Sequence, residues 1–410
     1  MELTLPKTEK VTKCATISHF LLMVGYKFFS LYFPLFLVAK GFSLPEVGYA
    51  YLLLYVPIAL FSPLVGYLSH KINPAILAIL GICGYALYSL GMIFIQNLTL
   101  FYFWQAFLGI SAAFFLVSFR AILIGFPLEN YNRAFGWFYS APSYAAIIAP
   151  LIGALIIWQS DFIGVFLISF FFHLLNVVFC LIYLIKPASV LVDDGFKFSQ
   201  FIKNYKQSAL KIFSFPNILP FILISFSTLV LVGFYRAFFL LFLKDAGWEQ
   251  NQIIFFGSLL PLFFLPISII VIKRFKKGEG DKNIIKGALL AGSFSILFGV
   301  FGVALKLVSL LSIFYVTAFI VLIAITGKAI GDFLVDCGRS SLISQKLNNY
   351  PEEAGAIDTI FAPLGAGMGS FLAGIIIGFL KFNYLFIIGG LFVIIIVFSA
   401  GKFDKKTNLF

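Results

Sequence analysis

Eight ionisable side chains lie inside long apolar runs of this sequence, where a charge finds little water. They are Lys27, Arg120, Arg236, Lys328, Asp332, Asp336, Arg339 and Asp358. Inserting such a group into a bilayer costs about 2.5–3.5 kcal/mol, so each needs a partner, a route to the interface or a task. Five are basic and three acidic. The net positive set suits the binding of a small anion. Bond-making chemistry is not indicated. His19, His70 and His173 stand far apart, no His-Glu-x-x-His or Cys-x-x-Cys spacing occurs, and Cys14, Cys83, Cys180 and Cys337 are scattered. The thiols read as membrane-packed. Neither an enzyme nor a cofactor is expected.

Depth within each run separates the candidates. Lys27 is at the middle of the first run and shares a helical face with His19, Met23, Tyr26 and Ser30. Backbone hydrogen bonds could satisfy His19 and Ser30. A midplane lysine has no such outlet, which makes Lys27, with Tyr26 beside it, a candidate substrate group. Arg236, in the outer half of the seventh run, either contacts substrate or snorkels outward. Arg120 and Arg339 sit near run ends, where snorkelling or gate pairing is expected. Asp358, at the start of the eleventh run, serves gating or complements a helix N-terminus.

The tenth run is the most informative. Lys328, Asp332, Asp336 and Arg339 follow i, i+4, i+8 and i+11 spacing, on a face about 80° wide. One reading is two intrahelical pairs, Lys328–Asp332 and Asp336–Arg339, that neutralise each other. The other is a charged face on a water-filled path, with Lys328 as a further substrate contact and the two acids as coupling groups. In that case an anion takes a cation away from its acid, and the unpaired acid takes up a proton. Anion–proton symport would result. If both pairs persist, exchange for a counter-anion is expected instead.

The elements that must position these groups follow from composition. The 410 residues are 61% hydrophobic and 11% charged, with a mean hydropathy of +1.04. Soluble globular proteins carry about 25% charged residues, so a soluble fold is excluded. Disorder is excluded by 54 phenylalanines. Alternation typical of membrane barrels is absent. An all-α membrane protein remains, with twelve transmembrane helices at 14–38, 46–68, 74–96, 99–124, 135–158, 161–185, 217–243, 250–272, 284–305, 309–338, 355–380 and 383–401. The tenth is longer than one crossing, so it is either tilted or interrupted near Gly327 and Gly331. The first run is too long for a signal h-region and is expected to stay uncut.

Outside the runs, twenty lysines and arginines fall on the side of the N-terminus. Only Lys40, Lys244, Lys306 and Lys381 fall on the other. The positive-inside rule then makes both termini cytoplasmic, in a cytoplasmic (inner) membrane. The formal charge of +12 reflects this bias, so a nucleic-acid partner is not implied. Trp104, Trp137, Trp158 and Trp248 mark span ends. The polar stretch from Lys186 to Pro216 divides the runs six and six. Phe196, Phe198, Phe201, Ile202, Tyr205 and Leu210 among its lysines suggest an amphipathic helix on the anionic leaflet, with membrane lipids as partners, or a docking segment. The expected organisation is a bundle at 1–186, a central loop at 187–216 and a second bundle at 217–410.

A weak internal repeat supports duplication. At an offset of 219, Arg120, Leu123, Ile124, Leu128, Asn130, Tyr131 and Gly136 match Arg339, Leu342, Ile343, Leu347, Asn349, Tyr350 and Gly355. Val24-Gly25-Tyr26 also matches Val232-Gly233-Phe234, with Lys27 and Arg236 close behind. Three further motifs carry a resemblance. The loop after the second run, Gly66-Tyr-Leu-Ser-His-Lys71, is similar to Gly-x-Leu-Ala-Asp-Arg. Gln105 to Ala113 is similar to Arg-x-x-x-Gly-x-Gly, and Ala149-Pro150-Leu-Ile-Gly153 to Gly-Pro-x-x-Gly. The chain thus resembles the major facilitator superfamily of secondary transporters over nearly its whole length. Ser69 replaces the family's gating Asp and Gln105 its membrane Arg, which departs from the proton-coupled drug exporters.

The resemblance implies two pseudo-symmetric six-helix bundles that rock about a cavity lined by spans one, four, seven and ten. The five intramembrane cations lie in those four spans. A basic residue in spans one and seven also resembles the organophosphate:phosphate antiporters, although Lys27 lacks the fork of an arginine. A small anionic solute, phosphate ester or carboxylate, is the expected cargo, with a proton or counter-anion as coupling partner. The alternative is a proton-coupled transporter of an amphipathic neutral or cationic compound, with Asp332 or Asp336 as carrier. A transporter-like sensor is more remote. The glycines at 365, 367, 369 and 374 read as helix packing, and Pro34, Pro57, Pro63, Pro142, Pro150, Pro261, Pro266 and Pro363 as helix bends. No nucleotide-binding loop occurs, so ATP drive is not expected.

Overall fold

The computed structural model describes residues 5–403 apart from 31, 40, 96, 127, 189–196, 215–217, 277, 308–310 and 348–350. Side chains are described over the same stretch except at 5–9, 39, 154, 157–162, 208–209, 211–214, 250–251, 254–255, 258–259, 302–307, 311–318, 351–352 and 401–403. Trp158 and Lys306 therefore lie outside the described side chains, as Lys40 and Phe196 lie outside the described residues.

Every regular element among the described residues is helical. In chain order these are α1 (Leu5–Ser30), α2 (Phe33–Ala39), α3 (Leu44–Lys71), α4 (Pro74–Ile93), α5 (Leu98–Gly125), α6 (Tyr131–Tyr183), α7 (Ile185–Ala188), α8 (Phe198–Ser214), α9 (Ile218–Asp245), α10 (Gln250–Arg274), α11 (Gly280–Leu307), α12 (Leu311–Lys346), α13 (Pro351–Ile377) and α14 (Phe382–Phe403). Nine helical stretches among the described residues are long and apolar enough to cross a bilayer. The first arm of α6, α10 and α12 account for the other three expected runs.

Three boundaries differ from the sequence expectation. The first span is broken into α1 and α2, because Pro34 has no amide hydrogen and crowds the preceding turn. The motif from Gly66 to Lys71 is the last turns of α3, not a loop, and Ser69 returns its hydroxyl to the Val65 carbonyl at 2.9 Å. The fifth and sixth spans form one helical stretch, α6. At 1.5 Å per residue a straight α6 would be ~80 Å long, more than twice a bilayer core. It folds back instead. His19 and Tyr32 of the first span meet Phe138 and Pro150, whereas Ser18 and Phe28 meet Cys180 and Phe172. The two arms of α6 therefore run antiparallel and reverse between Gly153 and Val165.

The tenth span is not interrupted. A Cβ on Gly331 would lie 2.6 Å from the Gly287 carbonyl oxygen, so the glycine permits close contact between α12 and α11. Similarly, glycines 365, 367, 369 and 374 of α13 face Leu229, Tyr55, Val230 and Leu44, which seats α13 between α3 and α9.

Packing before the central segment joins α1 to α6, α4 to α5 and α6, and α3 to α5. After it, α11 packs on α12 and α14, and α9 on α13 and α14. The two sets meet where α3 crosses α13 and where α6 crosses α10. We term the end that carries Lys13, Lys71, Arg133 and Lys273 the basic end. There α8 inserts Phe201, fully buried, against Tyr67 and His70 of α3, while Phe198, Ile202 and Leu210 stay exposed.

Candidate functional site

Two layers of polar side chains cross the interior. The central layer gathers around Arg236. Every residue of α9 from Ser227 to Leu243 is buried except Arg236, which is exposed. Its side chain reaches Tyr55 of α3 and lies near Lys27 of α1 and the acids of α12, so this exposure faces the space between the two halves and not lipid. Arg236 donates Nη1 to the Tyr55 hydroxyl of α3 at 2.7 Å, and its guanidinium lies 5.7 Å from that ring. Lys27 of α1, half-buried, lies within electrostatic reach of Arg236 and makes no hydrogen bond or ion pair among the described residues.

Tyrosines form the wall on the α1 side. Tyr26 meets Tyr85 edge-on at 5.9 Å, Tyr51 stacks on Tyr55 at 6.3 Å, and Tyr88 accepts from Gln105 Nε2 at 2.9 Å. Gln105 thus serves a buried phenol where a membrane arginine was the family expectation. On the α12 side, Lys328 bonds Asp332 Oδ2 at 2.6 Å and sits 4.2 Å over the Tyr235 ring, whose hydroxyl reaches Ser295. Asp332 Oδ1 is buried without a hydrogen-bond partner. Both acids of α12 lie within electrostatic reach of Arg236.

The second layer closes the basic end around Asp358, which lies two turns inside α13 and not at its N-terminus. The side chain is 1% exposed and held by two arginines from different halves of the chain. Arg339 of α12 reaches Oδ1 at 2.9 Å, and Arg120 of α5 reaches Oδ2 at 3.2 Å. Ser340 and Tyr139 also donate to Oδ2, at 2.6 and 3.3 Å. Arg339 binds Asp336 at 2.7 Å as well, and Arg120 donates to Thr359 and, at 3.0 Å, to Tyr139. Asn130 and Asn132 donate to the carbonyls of Phe275 and Lys276, and His70 approaches buried Glu353 at 3.4 Å. The described polar contacts between the halves lie in these two layers.

The expected residues thus divide. Lys27, Tyr26, Arg236, Lys328 and Asp332 belong to the central layer, Arg120, Arg339 and Asp358 to the basic end, and Asp336 bridges toward both. Arg120 and Arg339 do not snorkel; both are buried. His19 bonds the Phe138 carbonyl at 2.8 Å, as expected, but the Ser30 hydroxyl finds no partner. His173 bonds Ser169 at 3.2 Å. Sequence reasoning missed Tyr51, Tyr55, Tyr85, Tyr88, Tyr139 and Tyr235. A signal existed for one: Tyr139 and Asp358 are separated by the repeat offset of 219.

Residues 15–347 match the profile of the Major Facilitator Superfamily. A search of curated protein sequences finds no significant match. Among solved structures, the human organic anion transporter MFSD10 (TETRAN) is similar, with 14% identity and a TM-score of 0.70 over 96% of this chain and 99% of that one. A POT family transporter in complex with 5-aminolevulinic acid gives 15% identity and a TM-score of 0.72, over 96% of each chain. The same measures for a POT family transporter with a thioalcohol-conjugated peptide are 15%, 0.71 and 96% of each chain. At these identities the likeness is one of fold alone.

Proposed function

The chain belongs to the major facilitator superfamily, and on that premise we propose that its cargo is a small anion, an organic phosphate or carboxylate. It is a multi-pass membrane transporter of small solutes and not an enzyme. In our reading the halves 1–186 and 217–410 rock about the central layer by alternating access, in a cytoplasmic membrane with both termini inside. The observation that carries the anion reading is Arg236. It is exposed in mid-helix to the space between the two halves and bonded to a phenol, with Lys27 opposite. Two cations with no direct carboxylate contact among the described residues, in a low-dielectric layer, are stabilised by an anion that enters.

Purified protein should be stabilised thermally by members of a carboxylate and phosphate-ester panel, but not by matched neutral or cationic sets. Lys27→Gln and Arg236→Gln should each raise the Kd of the best hit at least about tenfold, ~1.4 kcal/mol. Unchanged binding in both variants rejects the reading. Orientation has its own test: a cysteine replacing Lys203 of α8 should react with membrane-impermeant reagents only from the cytoplasm.

A second reading has two observations in its favour. The unpartnered Asp332 Oδ1 and the tyrosine wall suit a proton-coupled carrier of an amphipathic neutral or cationic compound. Thermal shifts confined to the cationic set would select it.

A further inference from the structure

The repeat extends beyond its sequence identities. The 219-residue offset pairs Arg120 with Arg339 and Tyr139 with Asp358. Each arginine uses the same atom on its own half. Arg339 donates Nε to Asp358 at 2.9 Å, and Arg120 donates Nε to Tyr139 at 3.0 Å. One device has been built twice, with a carboxylate in one copy and a phenol in the other.

The asymmetry has an electrostatic consequence. Arg339 has Asp336 and Asp358 on its own half. Among the described residues Arg120 has one carboxylate partner, Asp358, and it belongs to the opposite half. Opening the basic end carries Arg120 away with Tyr139 and leaves Asp358 and Thr359 behind. Arg339 remains neutralised. Arg120 faces the opening path with Nε, its contact to Asp358, kept by the neutral Tyr139 hydroxyl and with the Nη edge that held Thr359 vacated. That geometry matches the two oxygens of a carboxylate or phosphate.

We propose that Arg120 is a second anion site that exists only when the basic end is open, and that the solute's negative group replaces Asp358 there. The proposal rests on the anion reading of the central layer and adds a step to it. An empty carrier that opens exposes a bare guanidinium, whereas a loaded one does not. The solute thereby favours the open state by differential binding.

The test measures the basic-end distance in full-length protein lacking its four native cysteines. Spin labels replace the exposed Arg133 and Lys273. Inorganic phosphate, sulfate and malonate are compared with chloride at equal ionic strength. In the parent the three oxyanions should raise the open-to-closed ratio, by about tenfold for the best of them. Arg120→Gln should abolish that response. So should Tyr139→Asp, which gives Arg120 a carboxylate on its own half, whereas Tyr139→Asn, neutral and of similar shape, should keep it. Absence of any oxyanion response in the parent overturns the proposal. So does a parental response in both Arg120→Gln and Tyr139→Asp. Lys27→Gln separates the two readings. If it abolishes the response while Arg120→Gln retains it, the central anion site stands and the Arg120 site fails. If the response follows Arg120 while Lys27→Gln and Arg236→Gln leave solute binding unchanged, the central reading fails and the Arg120 site stands.

Discussion

The basic-end layer and the central layer use the same residue types and satisfy them differently. At the basic end Asp358 accepts from Arg120, Arg339, Ser340 and Tyr139, and each arginine has a carboxylate. In the centre, among the described residues, Arg236 has a phenol, Lys27 has no hydrogen bond or ion pair, and one oxygen of Asp332 is left over. A charge-paired buried network holds two surfaces together, because breaking it strands charges, even though Arg339 Nη2 is left without a hydrogen-bond partner among the described residues. A layer whose cations lack a carboxylate contact has free energy to gain from an anion. The contrast assigns closure to one layer and binding to the other.

The largest effect that could break this contrast is removal of the acid both arginines share. Asp358→Leu should cost about 3–5 kcal/mol, since it leaves Arg120 without a carboxylate. It should appear as a large fall in thermal midpoint and as basic-end spin labels moving apart. An unaltered midpoint would mean that the network does not hold the closed state. The equivalent change in the centre, Arg236→Gln, should leave the midpoint nearly unmoved while it weakens binding.

Coupling comes next. Asp332→Asn and Asp336→Asn address the two α12 acids, one paired with Lys328 in the central layer and one with Arg339 of the basic end. If the layers divide as argued, Asp332→Asn loses pH-gradient-driven accumulation in proteoliposomes and keeps counterflow exchange. Asp336→Asn, whose partner Arg339 retains Asp358, keeps both. Full accumulation in both variants would make the α12 acids structural and move coupling elsewhere.

Smaller effects sharpen the description of the central site. Arg236→Lys keeps the charge and loses the planar fork, so it should raise the solute Kd about three- to tenfold. Equal binding by the lysine variant would mean that only charge is read. Tyr55→Phe removes one 2.7 Å hydrogen bond that orients Arg236 and should cost ~1 kcal/mol, about fivefold in Kd, without shifting the thermal midpoint.

Much of the architecture is determined by the sequence alone, because membrane insertion is a local property. Twenty apolar residues have to become helix in hydrocarbon, where no water satisfies the backbone, so run lengths set the spans and basic residues between them set an expected orientation. The same locality made the charges of α12 legible: side chains at i, i+3 and i+4 meet on any helix, and Lys328–Asp332 and Asp336–Arg339 form. What locality cannot decide is which helices approach each other. Arg120 and Asp358 are 238 positions apart, and Tyr55 and Arg236 181. Their contact depends on α5 meeting α13 and on α3 and α9 packing on either side of α13, through the glycines of α13 and not through the runs themselves. A tyrosine in an apolar run looks like packing, and five of those in the central layer gave no periodic sign of their role. Tertiary structure alone decided that Arg120 and Arg339 share one acid while Arg236 and Lys27 touch none among the described residues, because charge compensation depends on distance in space and sequence fixes only distance along the chain.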